Sequence, residues 1–144
     1  MPFRYLDDVA IADVAIEAWA ETLEDLFRDN ADAMLLEMVE NLDTIAPGET
    51  RQVTAAAPAV DRLLHDFLQE IIFFKDAECK FFRPGQLRIA QGGGGEWSLD
   101  GTLTGEPIDH TRHAVGIDVK AVTMHRLTVE RAGQGWKSLV ILDI

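Results

Sequence analysis

The helical spacing of apolar residues stops at Cys79, and that break governs what this chain can fold into. Upstream of it, Leu23, Phe27, Ala31, Met34 and Met38 recur at three- and four-residue intervals. Leu26, Leu35 and Val39 widen the stripe, and Glu24, Arg28, Asp32 and Glu37 occupy the opposite face. This pattern predicts an amphipathic helix over 22–40. Thr22 is placed to cap it, with Asp25 at the third helical position as a weaker form of the capping box. The stripe runs out near Asn41, and APGE at 46–49 reads as a turn. Pro58 opens a second helix over 58–75. Its apolar set, Val60, Leu63, Leu64, Phe67, Leu68, Ile71 and Ile72, is wide enough for deep packing.

Strand periods surround these helices. DVAIEAWA at 13–20 alternates, and ETRQVTAA at 49–56 reads as a short strand. Past Cys79, FFRPGQLRIAQ, EWSLDGTLTGE, DVKAVTMHRLTVERA and GWKSLVILDI are all strand-like. QGGGGEW at 91–97 and AGQGW at 132–136 supply hairpin loops between them. The expected fold is α+β, with two helices packed on one side of a mostly antiparallel sheet and the last strands as sequential neighbours. WKSLVILDI is apolar enough to lie centrally in that sheet, which would hold the groups at its end rigidly.

At 144 residues the chain is expected to form a single domain, 1–144, able to bury a core without staples. It carries 25 acidic and 13 basic residues, a formal charge of −12. That excess disfavours direct nucleic-acid binding and suits a cation or a basic protein partner, although acidity also serves plain solubility. The lone cysteine, Cys79, forms neither an intramolecular disulfide nor a paired-cysteine metal site, which fits a reducing compartment. Asp7, Asp8 and Asp13 interrupt the N-terminal stretch where a signal peptide needs an apolar core. No apolar run reaches the roughly 20 residues of a membrane span. The expected location is the cytoplasm, with no membrane partner.

The side chains offer few routes to catalysis. The glycines at 92–95 lack phosphate-loop spacing and precede no helix. Cys79 follows a helix C-terminus, where the dipole disfavours a thiolate. His65 reads as a surface residue, His110 and His113 as a loop pair without a third metal ligand, and His125 as a strand residue alternating with Met124. An acid/base enzyme would need His113, His125 and Asp109 to converge. Lys120 either points to solvent or anchors a carboxylate or phosphate near a sheet end.

The carboxylates remain. Asp13 starts one strand, and Asp143 ends another just before the carboxylate of Ile144. If those strands are antiparallel neighbours, the three groups can converge, with Asp8 as an outer member. Clustered carboxylates repel unless a cation lies between them, and hard oxygen donors select Ca²⁺, Mg²⁺ or Mn²⁺ over Zn²⁺. Solvated aspartates at two strand ends are the plain alternative.

The chain resembles the archease family, small cytosolic proteins that assist RtcB-type RNA-splicing ligases. The resemblance spans nearly the whole length. It rests on ADVAIEAWAETLEDLF (12–27), MVENLDTI (38–45), LLHDFLQEIIFFKD (63–76), GEPIDHTRH (105–113), VKAVTMHRL (119–127) and LVILDI (139–144), in that order and spacing. It implies a protein that is not itself an enzyme but promotes guanylylation and multiple turnover of the ligase, in tRNA splicing or RNA repair. It also implies a divalent cation, seen as calcium in the family, held through Asp13, Asp143 and the Ile144 carboxylate, and a role in activity for Lys120. Four positions depart from the family pattern. Ala10 and Ile11 replace a His-Thr pair, Met124 replaces a Tyr, and Arg126 replaces an acid after His125. The competing readings are a general protein-binding chaperone or adaptor in which the metal is incidental, and the acid/base enzyme.

Overall fold

A computed structural model describes residues 2–6 and 13–144. The elements run β1 (Phe3–Tyr5), β2 (Asp13–Ala20), α1 (Leu23–Met38), a 3-10 turn (Leu42–Thr44), β3 (Glu49–Ala57), α2 (Val60–Glu78), β4 (Lys80–Gln91), β5 (Trp97–Pro107), β6 (Ala121–Val122), β7 (Thr128–Ala132) and β8 (Gly135–Asp143). The α+β expectation holds, with all named strand pairs antiparallel. The strands divide into two sheets rather than one. The first runs β1-β2-β8-β6 with β7 also on β8, and the second runs β3-β5-β4. Both helices pack on strands of both sheets, α1 on β2, β8 and β4, and α2 on β3, β4, β5, β6 and β7.

Local chemistry sets these boundaries. The Asp25 N–H donates to Thr22 Oγ1 at 3.1 Å, so Thr22 caps α1 as its sequence position predicts. α2 ends on Cys79, whose left-handed φ of 55° closes the last turn through its N–H to the carbonyls of Phe74 and Lys75. The Cys79 carbonyl then accepts the Ile108 N–H at 2.8 Å, and the β4–β5 ladder begins at Lys80↔Pro107. Pro84 cannot donate to a ladder, so it sits on the edge strand β4, where the register shifts between Pro84 and Leu87.

The core lies where the helices meet the sheets. Phe27 of α1 and Phe67 of α2 pack with ring centroids 5.7 Å apart, and Phe81 and Phe82 of β4 are buried in the same core. Each such side chain contributes about 1.5–3 kcal/mol by leaving water. Trp97 and Trp136 meet edge to face at 6.3 Å and join one end of each sheet. β8 is central, as its composition predicts, with β2 on one side and β6 and β7 on the other.

One sequence expectation fails locally. DVKAVTMHRLTVERA is not a continuous strand. Residues 118–120 lie outside any strand, β6 is two residues long, and residues 125–126 form a turn with Arg126 at φ 55°. His125 is therefore an exposed turn residue, not a strand residue alternating with Met124. His65 is also not a simple surface residue. It is half-buried, with Nε2 3.0 Å from the Val122 carbonyl and Nδ1 2.9 Å from Asp66.

Candidate functional site

The β2–β8 register places Asp13 directly opposite Asp143, followed inward by Val14↔Leu142 and Ala15↔Ile141. Opposed residues of an antiparallel pair project from the same face, with Cβ atoms about 4.5–5.5 Å apart. Alternation puts this pair on the face opposite Val14, Ile16, Val140 and Leu142, which turn into the core. Asp13 is half-buried and Asp143 exposed. Two carboxylates so placed repel, and among the described residues no ion pair involves either one.

β6 closes the other side of this corner. Ala121 pairs with Asp143, and the Lys120 N–H donates to the Asp143 carbonyl at 2.8 Å. Lys120 is exposed and also lacks an ion-pair partner among the described residues. Ile144 follows Asp143 directly and packs its side chain against the core. Asp8, Ala10 and Ile11 lie outside the described residues. Among the described residues no three His, Cys, Asp or Glu side chains gather as a metal site. The corner itself brings together two side-chain carboxylates. That donor set fits a hard divalent cation that keeps several waters, and it contains no soft donor for zinc.

The histidine loop does something else. His113 is only 1% exposed, and both ring nitrogens are bonded inside the protein. Nδ1 accepts the Asp109 N–H at 2.9 Å, while Nε2 lies 3.1 Å from the Thr44 carbonyl and 3.0 Å from Glu106 Oε2. With Nδ1 accepting, Nε2 carries the proton and donates. Arg112 holds Glu106 through both carboxylate oxygens, and the Ala46 N–H adds a third bond at 2.7 Å. The Arg112 guanidinium first, then the Ala46 and His113 donors, hold the Glu106 carboxyl down to about 2. This network ties the end of β5 and the loop after it to residues 44–46.

Sequence reasoning did not single out Lys75, because lysines rarely go inside. It is 8% exposed. Its three N–H groups meet Asp118, Asp76 Oδ1 at 2.7 Å and the Val119 carbonyl at 2.9 Å. Burial disfavours its charge, but the Asp118 and Asp76 carboxylates more than offset that and raise its pKa. A lysine adjoining the apolar run IIFF was the available signal.

Comparison with known proteins places this geometry among relatives. The model of the archease protein family matches residues 3–144. The protein archease of Methanopyrus kandleri is 33% identical over 144 residues, covering 100% of both chains. That of Methanosarcina mazei is 28% identical over 142 residues, covering 99% of this chain and 95% of its own. The solution structure of Methanobacterium thermoautotrophicum protein 1598 superposes with a TM-score of 0.83 at 29% identity, covering 99% of both chains. The crystal structure of a Thermotoga maritima protein named "archease, possible chaperone" gives a TM-score of 0.58 at 23% identity, covering 94% of this chain and 93% of its own, a likeness of fold alone.

Proposed function

Because the chain belongs to the archease family, we propose that it is a non-catalytic, divalent-metal-binding activator of an RtcB-type RNA ligase in tRNA splicing or RNA repair. The observation that carries this reading is the register Asp13↔Asp143, which sets two carboxylates face to face on a central strand pair. A bound cation, calcium or alternatively magnesium or manganese, would offset their repulsion and supply a hard Lewis acid at the protein surface.

The chain's own residues do the rest. β2 and β8 hold the carboxylates at fixed spacing, and the Ile144 carboxyl group adds oxygen donors beside them. Lys120, bonded through its N–H to Asp143, offers an exposed ammonium for a phosphate or carboxylate on the partner. A ligase that joins RNA ends needs a basic site, and a net charge of −12 draws this protein toward such a surface. The same acidity opposes direct RNA binding.

The test is a multiple-turnover ligation assay with an RtcB-type ligase. Wild-type protein should raise both guanylylation and turnover number, while Asp13→Ala or Asp143→Ala should leave the fold intact and give no stimulation. Full stimulation by either variant would sink the metal-dependent reading. It would favour a chaperone or adaptor with an incidental metal; the Thermotoga maritima protein is itself called a possible chaperone. The acid/base reading is weakened by His113, whose two ring nitrogens are both engaged in the core.

A further inference from the structure

The segment that forms one wall of the Asp13–Asp143 corner is held from two sides. Toward β8, the Lys120 N–H donates to the Asp143 carbonyl at 2.8 Å, and the Thr123 N–H donates to the Ile141 carbonyl at 3.0 Å. Toward α2, the bonds alternate with these. The Val119 carbonyl accepts from Lys75 Nζ at 2.9 Å, the Val122 N–H donates to Gln69 Oε1 at 3.0 Å, and the Val122 carbonyl lies 3.0 Å from His65 Nε2. His65, Gln69 and Lys75 thus each reach this segment from α2. β6 is only two residues long, and its ladder to β8 consists of Ala121↔Asp143 and Val122↔Leu142. A strand that short does not hold its own register. Val119 and Val122 are buried, so their main-chain groups need partners, and α2 supplies them.

We propose that Gln69 and Lys75 are positioning residues. By bonding the main chain of Val122 and Val119 they fix β6 against β8, and so hold Lys120 beside Asp143. The proposal rests on reading that corner as the working site. Neither residue touches the cation or the partner in this account. Each acts through the two-residue strand, as outer-shell groups around a metal site orient the ligands. Gln69 is needed as an acceptor, so Gln69→Glu keeps the bond to the Val122 N–H and Gln69→Met removes it. Lys75→Met keeps the buried stem and leaves Asp76 and Asp118, with side chains 57% and 68% exposed, free to hydrate.

The experiment reads amide hydrogen exchange at Val122 and Lys120 together with Mn²⁺ affinity. It uses the full chain as wild type, Gln69→Met, Gln69→Glu and Lys75→Met. Gln69→Met and Lys75→Met should speed exchange at the Lys120 amide at least about tenfold and weaken Mn²⁺ binding about ten- to a hundredfold. Gln69→Glu should restore both. Faster exchange at Val122 with Lys120 unchanged would overturn the inference, as would Gln69→Glu behaving like Gln69→Met. If wild-type protein binds no Mn²⁺, the metal reading fails on its own, and exchange at Lys120 still decides whether these side chains position the corner.

Discussion

Asp13 and Asp143 face each other at the end of a strand pair, and that opposition has an energetic consequence. Without a cation, directly opposed like charges cost roughly 0.2–1 kcal/mol. Asp143→Asn should therefore melt at a higher temperature than wild type in chelator, and should lose the extra stability that calcium confers. For wild type, calcium at about 100 times its Kd should add about 2.7 kcal/mol, measured by thermal or urea unfolding. Cys79 poses a separate residue-scale question. Its left-handed backbone favours glycine, so Cys79→Gly should stabilise by about 0.5–1 kcal/mol in urea unfolding. Two carboxyls shape the pH response in opposite directions. Glu106, held down to about 2 by Arg112 and its other donors, contributes stability that is present above pH 4.5 and is lost as pH falls from there toward 2. Asp29 is pushed up to about 6 from 3.8, by burial first and then by Asp32 and Asp25. Its ionisation opposes folding, so that share of stability is present below pH 3.8 and is lost as pH rises through 6. Asp29→Asn should stabilise more at pH 7 than at pH 4 in denaturant titrations run at both values.

At the scale of elements, α1 is tied to the central strand by one buried polar contact. Asn30 Nδ2 donates to the Leu26 carbonyl and to Ser138 Oγ, both at 2.9 Å. Ser138→Ala would leave that amide short of an acceptor in a dry setting, with an expected loss of about 1–3 kcal/mol by equilibrium unfolding. The elements also show what sequence pattern can and cannot convey. The strand at 13–20, both helices and both hairpin loops follow from local periodicity and turn chemistry, and their observed bounds differ from expectation by a few residues at most. The 118–126 stretch resisted the same logic. Its apolar residues alternate, but Val119 is held by Lys75 on α2, Val122 pairs with Leu142, and the chain then turns at His125–Arg126. Alternation reports which faces are buried, not whether a neighbouring strand or a helix side chain satisfies the backbone. The same limit hid Lys75, whose burial depends on Asp76 and on Asp118, 43 residues away.

At the scale of the whole molecule, the division into two sheets was not legible, because strand order depends on pairings between segments far apart in sequence. The corner was legible in part. Placing Asp13 at a strand start and Asp143 at the end of a central strand was enough to expect their meeting if the strands were antiparallel neighbours, and they are. Whether the strands were neighbours could not be read from either one alone. The net charge of −12 acts at this scale too, and it predicts that association with a basic ligase slows steeply as salt rises, measurable by stopped-flow mixing across a salt series. On the function proposed above, the two strand-end aspartates form a cation site. Calorimetric titration of Ca²⁺ into wild-type protein, Asp13→Asn and Asp143→Asn tests it most directly. One site is expected in wild type and its loss in each variant, with all three folded. Undiminished binding in either variant, or no binding of calcium, magnesium or manganese by wild type, would contradict it.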